Sequence, residues 1–232
     1  MADYKNLVDF IKVKEGGISG HPKDSASKFP SPCGKDKSGN PYHTNKGIQW
    51  ATFQGLASKG GYTANCDNFV NMPDSVWLKV YKVGFWDEIQ GDRIKNQAIA
   101  NSFVEMIWGS GLGSVSRGTG TLGWLNRFFE KNYNKNLESI TEMVDFVNKL
   151  DDEGKTSELF EKLNDFRASK YESLNQPTFL KGWLNRLNSF YILNKPYATS
   201  TSTKTKTKTT IAIGVVLILA GATLYYKYGR TK

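Results

Sequence analysis

The string best placed for acid chemistry in this sequence is Glu15-Gly16-Gly17. Ahead of it, Tyr4, Leu7, Val8 and Ile11 recur at helical spacing, which predicts a short amphipathic helix ended by the two glycines. Glu15 then falls at a helix C-terminus, where the negative end of the helix dipole disfavours a charged carboxylate. A groove wall would disfavour the charge further, and a general acid working near neutral pH must keep its proton. Lys12 and Lys14 pull the other way. The plainer reading is a surface glutamate ahead of a glycine cap, and spacing alone favours it.

A second carboxylate, Glu105, lies one residue off the apolar stripe Ile99, Phe103, Met106 and Ile107, just before Gly109-Ser110-Gly111. A glutamate beside a core face is unusual enough to single out. Asp24 follows in the polar stretch from Ser19 to about Lys46, which holds Pro22, Pro30, Pro32 and Pro41. A loop of that length in a compact domain is functional or disordered. The only histidines, His21 and His43, have no metal-ligand spacing between them, and no cofactor or metal is expected. Ser-His-Asp chemistry lacks a nucleophile elbow. Gly111 to Gly123 is glycine-rich without the spacing of a phosphate loop.

The elements that must position these groups read as helices. Periodicity predicts them over 48–57, from Pro73-Asp74 to a stop at Gly84, and over 96–108, 138–150, 157–174 and 179–193. Little alternates with period two, so the body is mostly α, with any strands inside the long loop. Phe85-Trp86-Asp87 follows the second of these helices, its aromatics equally suited to a core or to a sugar platform.

The formal net charge of +9 includes six basic residues beyond Thr199 (Lys204, Lys206, Lys208, Lys227, Arg230, Lys232), leaving the body mildly basic. Such a surface suits an anionic polymer, and no nucleic-acid motif is present. Residues 199–208 read as a Ser/Thr/Lys linker too polar to build a core. The uncharged run 209–226 would span about 27 Å as a helix, close to a bilayer's hydrocarbon core, which predicts a transmembrane helix in a lipid bilayer, followed by a basic tail at 227–232. Cys33 and Cys66 suit a pair in an oxidising compartment, although two free thiols is the plainer expectation.

Several strings together resemble one family. Glu15-Gly16-Gly17, Pro22-x-Asp24 and Thr44-Asn45-x-Gly47-Ile48 are similar to the N-terminal signature of glycoside hydrolase family 108, phage and bacterial N-acetylmuramidases with a lysozyme-like fold. Phe85-Trp86-Asp87 resembles its aromatic-Trp-Asp segment, and Glu105 to Gly111 its second helix end. Phe179 to Arg186 resembles the closing Gly-Trp-x-x-Arg helix of the associated peptidoglycan-binding region. The sequence departs from the pattern in a longer loop between Asp24 and Thr44, in Glu105 for aspartate, in Gly109 for asparagine, and in a turn reduced to Gly120-Thr121-Leu122-Gly123.

The resemblance implies a lysozyme-like domain over 1–198, with a catalytic half at 1–112 and a peptidoglycan-binding-like helical half at 113–198. It implies that Glu15 protonates the bond between N-acetylmuramic acid and N-acetylglucosamine. Asp24 and Glu105 are the expected supporting carboxylates, Thr44 would position water, and Trp50 and Trp86 would bind sugar. With the terminal helix, the expectation is a phage peptidoglycan hydrolase anchored as a single-pass protein in a virion membrane or the host inner membrane. The rival reading is a non-catalytic wall-binding or structural envelope protein on the same scaffold.

Overall fold

The computed structural model describes residues 1–199. A 3-10 turn over Tyr4–Leu7, N-capped by Asp3, leads into α1 (Val8–Lys14). The long loop that follows carries a 3-10 turn at Ser25–Lys28 and closes on a small antiparallel hairpin, β1 (Thr44–Asn45) and β2 (Ile48–Gln49). Its register pairs Thr44 with Gln49 and Asn45 with Ile48. The two turn residues, Lys46 and Gly47, both have positive φ, as a two-residue type I′ hairpin requires. Ser19 bridges to Thr44 on the hairpin's other side, so the loop returns to the strand beside Glu15.

The expected helix over 48–57 begins as β2 and continues as α2 (Trp50–Gly55) and α3 (Ala57–Gly60). After α4 (Cys66–Val70) comes α5 (Asp74–Tyr81). Gly84 does not stop that helix. The chain runs on through a π turn, Lys82–Trp86, in which a Cβ at Gly84 would overlap the Leu56 side chain. Close packing, not termination, is what glycine serves there.

At the centre lies α6 (Gln97–Ser110), N-capped by Asn96, whose side-chain oxygen accepts from the amides of Ala98 and Ile99. Every residue from Ala98 to Ile107 is buried. It packs against α7 (Gly120–Tyr133), α9 (Thr156–Ser173) and α10 (Pro177–Thr199). Between α7 and α9 runs α8 (Ile140–Asp152), opened by a capping box between Ser139 and Glu142. One apolar core joins residues from both expected halves, from Leu7 and Trp77 to Phe160 and Phe190. A disulfide joins Cys33 in the long loop to Cys66 at the start of α4, in place of two free thiols.

The mostly helical expectation holds, and the membrane anchor does not. No helix among the described residues is long and apolar enough to cross a membrane. The run 209–226, on which the single-pass assignment and its virion or inner-membrane location rested, lies outside the described residues, as do the 200–208 part of the linker and the basic tail. Its hydropathy matches a bilayer in length, but length and composition alone do not make a span.

Candidate active site

Glu15 is itself the C-cap of α1, with extended backbone, and its amide donates to the Ile11 carbonyl at 3.0 Å. The two glycines after it have no positive φ, so they do not serve as a left-handed cap. A Cβ on either would meet nothing within 4 Å, and both line a cleft of about 260 Å³ together with Lys12, Glu15 and Lys46. Missing side chains at Gly16 and Gly17 leave this cleft open.

Three elements fix the Glu15 carboxylate. From the end of α6, the Trp108 indole N–H donates to Oε1 at 2.8 Å. From α10, Arg186 Nη1 donates to the same oxygen at 2.8 Å. Beneath the other oxygen lies Gly47 of the hairpin, where an added Cβ would fall 2.7 Å from Oε2 and 2.7 Å from Trp108 Cζ2. Among the described residues Oε2 accepts no hydrogen bond, and the side chain keeps 18% of its exposure. Trp108 is held in turn by the rings of Phe85, Trp77 and Tyr81, at 4.6, 5.6 and 6.2 Å.

Behind Arg186 sits Glu105. The stripe-edge position predicts partial exposure, but α6 is buried all round there, and the Glu105 side chain is 2% exposed. A buried carboxylate must be paired, and Glu105 accepts from Arg186 Nε at 2.7 Å and forms an ion pair with Arg167 of α9. The guanidinium of Arg167 is fully buried against the Phe190 ring, and burial pushes its pKa down from its ordinary value. The adjacent Glu105 carboxylate is its ion-pair partner there. Two carboxylates and two guanidiniums thus alternate in one chain of contacts from Glu15 to Arg167.

At the cleft's rim, Asp74 pairs with Lys12 at 2.7 Å and Lys46 at 3.3 Å. These ammoniums, Lys12 first, hold the Asp74 carboxyl below its ordinary value. Lys46 is pinned from behind by the Met72 carbonyl at 2.9 Å, and Lys12 lies over the Trp77 ring.

The other expected residues are placed as follows. Asp24 is exposed and N-caps the Ser25–Lys28 turn, accepting from the Ala26 amide at 2.9 Å. Thr44 lies on β1, its hydroxyl 2.9 Å from His43 Nδ1, while His43 Nε2 reaches the His21 carbonyl and ties the Asp24 loop to the strand. Trp50 packs between Phe53 and Phe69 in the core. Trp86 is fully buried and donates to Asp92 at 2.7 Å. Both rings are buried in this structure rather than exposed in the cleft. Trp108, Arg186, Arg167 and the close approach of Gly47 were not singled out for the site in the sequence.

Residues 8–111 match the family model Glycosyl hydrolase 108. The likeness to the glycosyl hydrolase 108 family covers this segment of the chain. The match contains Glu15, Gly47, Glu105 and Trp108, and it bears out the resemblance read from the motifs. The protein is accordingly a glycoside hydrolase. A solved structure of SagA from Brucella abortus is similar to the chain with a TM-score of 0.55, at 17% identity, over 86% of this chain and 98% of that one. That likeness is one of fold. No curated protein sequence matches the chain. Arg186 and Arg167 lie outside the segment matched to glycosyl hydrolase 108.

Proposed function

We propose that the protein is a peptidoglycan hydrolase of the N-acetylmuramidase type, with Glu15 as the general acid. The match of residues 8–111 to the glycosyl hydrolase 108 family supports peptidoglycan as the substrate. The observation that carries the catalytic assignment is the division of labour on one carboxyl group. Oε1 is held by Trp108 and Arg186, and Oε2, free of hydrogen bonds among the described residues, belongs to the one carboxylate lining the cleft.

A proton on Oε2 leaves Oε1 as a carbonyl oxygen that still accepts both donors. Glu15 then delivers that proton to the glycosidic oxygen as the bond to C1 of the muramic acid breaks. The nascent carboxylate gains strength in its bond to Arg186 as its charge develops. Positive charge grows on the muramic acid ring as its C1–O bond breaks, and a second group must serve that ring's opposite face. Burial and two arginines remove Glu105 from that task. Asp24 is the expected carboxylate that faces solvent, on a loop strapped to Thr44 through His43, and we assign it this part. The assignment is tested by digesting purified peptidoglycan, reducing the fragments and weighing them. New reducing ends on N-acetylmuramic acid are expected. New ends on N-acetylglucosamine, or none, would refute the muramidase reading.

A further inference from the structure

We infer that Arg186 is a positioning residue for the reaction: it orients the Glu15 carboxyl and stabilises the carboxylate left when the proton is delivered, so the helical half at 113–198 completes the active site. The inference rests on Glu15 being the acid. Arg186 makes a fork with two carboxylates, Nη1 to Glu15 at 2.8 Å and Nε to Glu105 at 2.7 Å. A guanidinium held through two of its nitrogens has a fixed plane, which a single contact would not give. Its Cζ lies over the Phe10 ring of α1, 5.9 Å from the centroid. Glu105 and Arg167 neutralise one another in the core behind it. The charge of Arg186 is therefore directed at Glu15.

The other charged groups near Glu15 do not duplicate this role. Lys12 from α1 and Lys46 from the hairpin line the same cleft, but both ammoniums are paired with Asp74 of α5. Lys14 lies over the Phe10 ring. From α6 the contact is the uncharged Trp108 indole. Arg186 is the cation bonded to the carboxyl group. It stabilises the carboxylate formed when the proton is delivered, which speeds the step itself.

The test measures kcat and KM on purified peptidoglycan for the full chain and its Arg186→Gln and Arg186→Lys variants, each first checked for folding by circular dichroism. Arg186 bonds the acid, so in R186Q kcat is expected to fall roughly 10–100-fold with KM little changed. R186K keeps a positive charge without the fork, and its kcat is expected between the other two. A wild-type kcat in R186Q, or a loss confined to KM, would overturn the inference. If R186Q does not fold, R186K decides: a wild-type kcat would show that the fork positions nothing. If Glu15→Gln keeps full activity, the acid assignment itself falls. If E15Q is inactive and R186Q keeps the wild-type kcat, only the role of Arg186 falls.

Discussion

Replacing Gly47 by alanine separates the position of the acid from every charge in the site. The residue sits in the hairpin turn at φ +78°, which L side chains rarely adopt. A Cβ there would lie 2.7 Å from Glu15 Oε2, 2.8 Å from its carboxyl carbon and 2.7 Å from Trp108 Cζ2. The overlap is roughly 0.7 Å against an ordinary carbon contact. Trp108 is clamped by Phe85, Trp77 and Tyr81, so the flexible end of Glu15 must yield. The backbone cost of a left-handed alanine is about 1–2 kcal/mol. For a chain of this size that lowers the melting temperature by about 2–8 °C, leaving a folded protein. The catalytic cost is larger, because a displacement approaching 1 Å at the reacting group costs on the order of 100-fold in rate. The assay pairs a thermal melt with the initial rate of reducing-end release from peptidoglycan. Gly109→Ala is the control, since a Cβ there meets nothing within 4 Å. A folded G47A enzyme working at the wild-type rate would refute the claim that the hairpin seats the acid.

Two further outcomes bear on stability. The Cys33–Cys66 disulfide closes a loop with a sequence separation of 33, so its reduction is expected to cost about 3–4 kcal/mol in urea unfolding; an unchanged midpoint with and without thiol would contradict this. The Trp86 indole N–H, and after it Lys82, hold the Asp92 carboxyl below its ordinary value. Its folded form therefore favours the ionised state, and the stability it supplies is present at neutral pH and lost as pH falls through the carboxylate range. Denaturant titrations down that range should show a shallower pH dependence in Asp92→Asn than in the wild type; equal slopes would contradict the assignment.

Helical periodicity was enough to place α6, α8 and α9 within a few residues, because each presents an apolar face to the same core. It missed α7, where Gly120 and Gly123 argue against a helix. Those glycines serve tertiary contact: a Cβ at Gly123 would overlap the backbone of Gly118. It also stopped α10 at Leu193, whereas the helix runs through Pro196 to Thr199. Glu15 stands out in the sequence because the motif that marks it is a local string. Its partners do not, since Trp108 and Arg186 lie 93 and 171 residues away in the chain. Arg186 stood in a recognised string, but that string pointed to wall binding and gave no sign of a contact with Glu15. Residue type also fails to separate a sugar platform from a core ring, and the structure buries Trp50 and Trp86. The place of Glu105 beside an apolar stripe is legible in the sequence, but its burial and its pairing with Arg186 and Arg167 are not, because both partners come from distant helices.

The most direct measurement compares the full chain with its Glu15→Gln variant on purified peptidoglycan, both shown to be folded by their melting curves. Wild-type protein is expected to release fragments with reducing N-acetylmuramic acid ends. In E15Q the rate should fall by about 100- to 10,000-fold, the range lost with a general acid. A folded E15Q protein that releases the same ends at the wild-type rate would contradict the account at its centre.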